Sequence, residues 1–256
     1  MALTQSAQKM IERYKHLKIG ALTVRTPYFI NKGNKVRGGL RVAIGKGSPE
    51  DIEDEAKIIS MKNKIDLQTL SQEHITDFLI NENLGIDCSG FVYHVLNEET
   101  KEKYNKQLHT YLKYKSKNPL RKLLTKLRPA ENTSVQVLAD DDNTKAIQLK
   151  DIEAGDLIFL LGTGEQHELN HILLVTDEKK ENGKIQTIHY THSLKWKQDK
   201  KNQHGVRDGK IQIKDINKPI TEQTWIEQEK TGEENETLWR AKTAQKIKIG
   251  RIQTSK

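Results

Sequence analysis

Gly85-Ile86-Asp87-Cys88-Ser89-Gly90-Phe91-Val92 holds the only cysteine of this 256-residue chain. The cysteine follows a turn and opens an apolar helix that carries Phe91, Val92, Val95 and Leu96 on one face. A thiol at a helix N-terminus sits at the positive end of the macrodipole, which favours the thiolate. Ser89 and Gly90 leave room for a substrate to approach the first turn. A lone cysteine is more often a small buried hydrophobe. Two later segments decide against that reading here.

The first is Ala154-Gly155-Asp156-Leu157-Ile158-Phe159, followed by Asn170-His171-Ile172-Leu173-Leu174-Val175. Both read as buried strands, the second starting with a histidine. The other is Lys184 to Ser193, a further strand carrying His189 and His192. A nucleophilic cysteine needs a base to take its proton and a polar group to hold the base's ring. The chain offers them in the order Cys, His, His.

That order and wording resemble the NlpC/P60 family of papain-like cysteine peptidases and amidases. The shared pieces are Asp87 to Val92, Gly155 to Phe159, His171 to Val175 and the strand around His189 and His192. Thr26-Pro27-Tyr28 is similar to the family's Pro-Tyr segment, whose tyrosine lines the site. The resemblance implies an α+β, papain-like core with the nucleophile helix packed on an antiparallel sheet. It implies that Tyr28, Asp87 and Ser89 bind a substrate's amine end, and that the substrate is a peptidoglycan stem peptide or a related amide in a bacterial setting.

Spacing adds decoration to that core. Sixty positions separate Tyr28 from Cys88, 83 separate Cys88 from His171, and 21 separate His171 from His192. The whole chain, 1–256, is therefore read as one domain with helical insertions at about 48–84 and 101–145. Within the first, Gly45-Lys46-Gly47-Ser48-Pro49 lacks phosphate-loop spacing. It reads as a helix start, with Ser48 as cap and Pro49 in the first turn, after a short strand over Leu40 to Ile44. That helix runs to about Asn63, and another spans Ser71 to Asn83, stopped by Gly85. At the N-terminus, Ala7, Met10, Ile11, Tyr14 and Leu17 make a helical stripe. Leu22 to Ile30 reads as extended, with a basic loop over Asn31 to Gly39.

Residues 101–128 hold eight lysines, two arginines and one glutamate, a net of +9 against +8 for the whole chain. This segment reads either as a solvated helical pair divided at Asn118-Pro119 or as a dock for an anionic polymer. Nucleic acid is not the expected partner. Residues 131–145 read as a polar loop, and Asp140-Asp141-Asp142 is a weak cation candidate. No cofactor or metal is expected. His167-x3-His171 has the spacing of a zinc pair but falls on loop and strand, and no second cysteine supports it. Trp196, Trp225 and Trp239 read as packing residues; Leu238 to Ala241 and Ile247 to Ile252 read as closing strands. No run of apolar residues reaches transmembrane length and the first residues lack a signal-peptide plan. The expected location is the cytoplasm, or outside by a route or segment that this sequence does not display.

Alternation divides the histidine strand. Ile188, Tyr190 and His192 share one face, and Thr187, His189 and Thr191 the other. The first set is the more apolar, so His192 is favoured as the third catalytic group, with His189 as the alternative. The expected chemistry is acyl transfer by Cys88, His171 and His192. Either His171 deprotonates Cys88 or the two rest as a thiolate–imidazolium pair. Two further readings stand beside amide hydrolysis: a thiol-dependent deamidase or acyltransferase on protein or lipid, and a non-catalytic polyanion-binding module on a hydrolase scaffold.

Overall fold

The computed structural model describes residues 2–31, 40–115 and 119–254, with backbone alone over 119–122. Residues 32–39 of the expected basic loop lie outside the described residues. The apolar stripe Ala7, Ile11 and Tyr14 forms the buried face of α1 (Gln5–Lys15), capped by the Thr4 side chain, which accepts the Ala7 N–H. A short antiparallel hairpin follows, β1 (Leu17–Ile19) and β2 (Leu22–Val24). The segment 41–44 expected as a strand is instead a 3-10 turn, ended by Gly45 at φ +74. Left-handed backbone there turns the chain back so that Lys46 bridges to Ile86.

Ser48 starts α2 (Pro49–Asn63) with a capping box: its hydroxyl accepts from Asp51 N–H, and the Asp51 carboxylate accepts from Ser48 N–H. Helix α3 (Gln72–Asn81) ends earlier than expected. Asn83 takes the left-handed conformation that Gly85 was expected to supply. Gly85 is small for another reason: a Cβ there would lie 2.5 Å from the Pro27 carbonyl oxygen.

The nucleophile helix is α4 (Cys88–Tyr104), which packs against α1 and the sheet. Residues 131–145 are not a loop. They contribute to α6 (Pro129–Asn132), α7 (Val135–Ala139) and β3 (Thr144–Ala146), after α5 (Pro119–Leu127). The remaining strands are β4 (Leu157–Thr163), β5 (Leu169–Glu181), β6 (Lys184–Leu194), β7 (Gly205–Gln212), β8 (Thr224–Glu227) and β9 (Lys246–Ile252). Leu238 to Ala241, expected as a strand, lies in α8 (Glu236–Thr243), whose start is capped by Asn235. The strands form one antiparallel sheet in the order β3-β9-β4-β5-β6-β7-β8. The fold is thus α+β.

The central strands β4 and β5 are buried on both sides, which explains their continuous apolar sequence. Leu157, Phe159, Ile172 and Leu174 join the core under α1 and α4. Ile158, Leu160, Leu173 and Val175 join a second core with Ile188, Tyr190, Trp225 and Leu238. Trp196 and Trp225 are fully buried, and Trp239 packs under the Lys197 ammonium. No helix among the described residues is long and apolar enough to cross a membrane.

Candidate active site

Cys88 opens α4 because Asp87 caps it: the Asp87 carboxylate accepts the Gly90 N–H at 2.6 Å. Gly90 is needed there, since a Cβ would lie 2.8 Å from the Gly45 carbonyl oxygen. Cys88 lines a cleft of about 1000 Å³ together with Tyr28, Lys46, Asp87, His171 and Arg240. The insertion reaches this cleft, since Thr133, Ser134 and Gln136 form part of its wall.

The sheet supplies a line of hydrogen bonds. His171, on β5, places Nε2 2.6 Å from His192 Nδ1 on β6. His192 Nε2 lies 3.1 Å from Glu227 Oε2 on β8. The same carboxylate oxygen accepts from the Tyr190 hydroxyl at 2.8 Å and the Thr237 hydroxyl at 2.9 Å. Thr237 in turn accepts the Trp196 indole N–H at 3.1 Å. Burial pushes the Glu227 carboxyl up. The charge and hydrogen bond of His192, with Arg207 and Tyr190, outweigh it and hold the pKa below the usual value.

An ionised Glu227 accepts a hydrogen bond from His192 Nε2–H. His192 Nδ1 is then an acceptor, so His171 must donate from Nε2. His171 Nδ1 is left with its lone pair free, the state a general base needs. No side-chain hydrogen bond joins His171 to Cys88; backbone N–H groups at Ile172 and Ser89 hydrogen-bond the thiol instead.

His189 lies on the opposite face of β6, half-buried in a separate concavity with Lys15, Thr191 and Asp208. The structure therefore brings His171 and His192 together and leaves His189 apart. Among the other histidines, His94 Nε2 hydrogen-bonds the Lys46 carbonyl at 2.9 Å, and His204 Nδ1 accepts the Tyr28 N–H at 3.1 Å. His167 sits in a turn at φ +53 with Nδ1 on the Gly162 carbonyl.

The electrostatics differ from the low-pKa thiol expected from the helix terminus. Burial pushes Cys88 up to about 12, and the Asp87 charge adds to that rise; Lys46 and the two backbone hydrogen bonds oppose it. His171 is held well below its usual value, first by burial and then by the charges of His192, Arg240 and Arg207. A high thiol beside a low imidazole favours the neutral pair at rest over the ion pair. Burial first, then Cys88 and Asp87, also raises Tyr28, which stays a neutral phenol on the cleft wall.

Lys46 is a second departure. It is buried, and its Nζ donates to Asp87 Oδ1 at 2.9 Å, Ser89 Oγ at 2.5 Å and the Thr133 carbonyl at 3.2 Å. Asp87 and Ser89, expected to meet a substrate amine, are already engaged by the chain's own ammonium.

The NlpC/P60 family model matches residues 76–230, which include Cys88, both histidines and Glu227. The chain belongs to the NlpC/P60 family. Comparison with curated proteins and with solved structures gave no match. NlpC/P60 proteins are in general hydrolytic peptidases and amidases associated with cell-wall peptides. In this NlpC/P60 chain two buried charged residues escaped the sequence reading. Lys46 sat in a Gly-Lys-Gly stretch that explains itself as a helix lead-in. Glu227 could have been found, because it alternates with Trp225 on a strand whose inward face is otherwise apolar.

Proposed function

We propose that this protein is a thiol hydrolase that cleaves an amide bond in peptidoglycan stem peptides through a Cys88–His171–His192 acyl-enzyme mechanism. The hydrogen-bonded line from His171 through His192 to Glu227, ending in the cleft that holds Cys88, carries the reading. A buried line of this kind has a structural cost that a packing role alone would not require.

His171 Nδ1 takes the proton from Cys88 as the sulfur attacks the amide carbonyl. The imidazolium that forms donates from Nε2 to His192 Nδ1, while His192 Nε2–H donates to Glu227. Cys88 N–H, at the helix start, faces the developing oxyanion. Tyr28, held protonated, offers a further donor on the cleft wall. His171 returns the proton to the leaving amine. Water, activated by the same imidazole, then hydrolyses the thioester and frees the thiol.

Mass spectrometry of peptidoglycan fragments incubated with the wild type and with Cys88→Ala tests this. New amine and carboxylate termini are expected with the wild type alone. Intact fragments in both samples would overturn the reading.

A further inference from the structure

The ammonium group of Lys46 is enclosed. Its side chain is 8% exposed and that of Asp87 is 11% exposed. An ammonium has three N–H donors and no acceptor. Here three acceptors from two segments meet it: Asp87 Oδ1 at 2.9 Å, Ser89 Oγ at 2.5 Å and the Thr133 carbonyl at 3.2 Å. Asp87 and Ser89 flank the nucleophile, while Thr133 belongs to the insertion between α6 and α7. The Thr133 carbonyl is held in place from its own side chain, which donates to the Pro129 carbonyl at 2.8 Å and pairs with the Tyr114 hydroxyl at 2.8 Å. The lysine is fixed from its backbone: His94 donates to its carbonyl at 2.9 Å, and its N–H bonds the Arg41 carbonyl at 2.8 Å.

We infer that Lys46 is a specificity-determining residue that permanently fills an ammonium cradle beside Cys88, so that the enzyme acts on acyl groups bearing no free amine there. The inference rests on the amide-hydrolase reading and narrows its substrate to N-blocked or internal amides. A substrate ammonium arriving there finds Asp87 Oδ1 and Ser89 Oγ already bonded to Lys46 and meets a like charge in a desolvated wall. A neutral N-acyl group meets neither obstacle. The three donors of Lys46 are all used, so it is not itself a docking point for a substrate carboxylate. Lys46 also offsets the Asp87 charge next to the sulfur and so helps the thiol ionise.

The test uses a matched pair of stem peptides, one with a free N-terminus and one N-acetylated. Wild type is expected to turn over the acetylated peptide at least about tenfold better in kcat/KM. In Lys46→Met and Lys46→Ala that ratio is expected to fall toward one. The second arm does not need turnover. Alkylation of Cys88 by iodoacetamide is followed against pH in each variant, with and without ethylammonium. The Lys46→Ala profile is expected to move to higher pH and to return toward wild type when ethylammonium refills the cradle. Wild type itself should be indifferent to the amine. Equal or better use of the free-amine peptide by wild type would overturn the inference while leaving amide hydrolysis intact. Turnover of neither peptide counts against amide hydrolysis, and the alkylation arm then decides on the cradle: no ethylammonium effect in Lys46→Ala overturns it.

Discussion

Two buried polar arrays flank Cys88, and they are built in opposite ways. On the sheet side, His171, His192 and Glu227 come from β5, β6 and β8 of one sheet, and the antiparallel register across β7 sets their spacing. On the helix side, Lys46, Asp87, Ser89 and the Thr133 carbonyl come from a turn, a helix cap and an insertion. In the proposed mechanism the sheet array is a directional line that moves a proton. The helix array is a closed set of complementary charges that moves nothing. On that mechanism, one of each beside a thiol separates the work: the sheet supplies the base, and the cap fixes the field around the sulfur and the shape of the acyl pocket.

The sharpest test of that division concerns the sulfur and its base. Cys88→Ala and His171→Ala are each expected to lower kcat/KM by about 10³-fold or more, the scale on which nucleophile and base act as a unit. The resting state follows from the directions of the two pKa shifts. With Cys88 raised to about 12 and His171 lowered, alkylation of the free enzyme should stay slow at neutral pH and climb toward alkaline pH. Turnover needs His171 unprotonated, so its acid limb should lie below about pH 6.5, the ordinary histidine value. Fast alkylation at pH 6 would show an ion pair and return the mechanism to a preformed thiolate.

The helix array is expected to matter more for stability than for rate. Lys46→Met leaves Asp87 buried without its counter-ion, a change expected to cost about 3 kcal/mol in urea unfolding. Adding Asp87→Asn should recover part of that loss, because the stranded charge is then gone. An unchanged midpoint in Lys46→Met would mean that Gly90 N–H and Ser89 satisfy Asp87 unaided.

The sheet array should show the reverse pattern. Glu227→Gln keeps the size but no longer fixes the His192 tautomer, and turnover is expected to fall about 10²-fold, within the range of general-base contributions. His192→Ala should fall as far or further, and His189→Ala should stay within about twofold, since His189 lies across the strand. A larger loss in His189→Ala would place the reactive face on the other side of β6. The pH profile separates positioning from packing, because Glu227→Gln should shift the acid limb whereas a packing defect would lower all rates together.

How much of this the sequence displayed follows the same division. Strand residues announce themselves by period two. Ile188, Tyr190 and His192 were placed on one face by alternation alone, and the apolar runs around Phe159 and Leu173 marked the doubly buried centre. The capped start at Ser48 was legible because a cap is a local signal. The helix array was not legible. The Lys46 contacts span 41, 43 and 87 positions and depend on the Gly45 turn and on a carbonyl, which no residue type advertises. The same limit hides α6, α7 and α8, short helices whose form is set by what they pack on. The high pKa of the thiol is hidden from the sequence for a related reason. The helix dipole is local and visible, whereas burial and the Asp87 charge that outweigh it belong to the tertiary structure.

Acid should weaken both arrays at once. His94 behind Lys46, His171 in the sheet line and His204 behind Tyr28 are all held below the ordinary histidine value, with burial as the first cause; His204 falls to about 4. The unfolded chain therefore takes up these protons first, as pH drops through about 6.5. Stability is expected to be full above that pH and to decline steadily below it, toward the folded-state values. Urea midpoints at pH 7.5 and pH 5 check this. A midpoint unchanged at pH 5 would mean that these rings are already charged in the folded protein.

The smallest effect is expected from the basic segment, where the structure changes the target. Lys113 pairs with Asp142 at 3.2 Å, and Lys115 pairs with Asp140 at 2.6 Å and Asp142 at 3.5 Å. Lys101 and Lys103 pair with Glu98 at 2.7 Å and Glu99 at 2.6 Å. Asp141 is taken by Lys248 at 2.7 Å. The acidic run considered as a cation site thus serves as counter-charge to the basic one, and the excess of positive charge is weaker here than the count suggests. Lys117, Arg121 and Lys122 lie outside the described side chains. Neutralising Lys113 and Lys115 alone should leave co-sedimentation with anionic sacculi within about twofold, because exposed charges that are already paired add little and salt screens the rest. Neutralising Lys117, Arg121 and Lys122 as well should weaken binding by roughly tenfold at low salt and spare turnover of a short neutral peptide. Equal losses from the double and the fivefold variants would show that the Asp140–Asp142 pairs release their lysines to the polymer. Salt-independent binding by every variant would assign the segment to structure and leave recognition to the cleft.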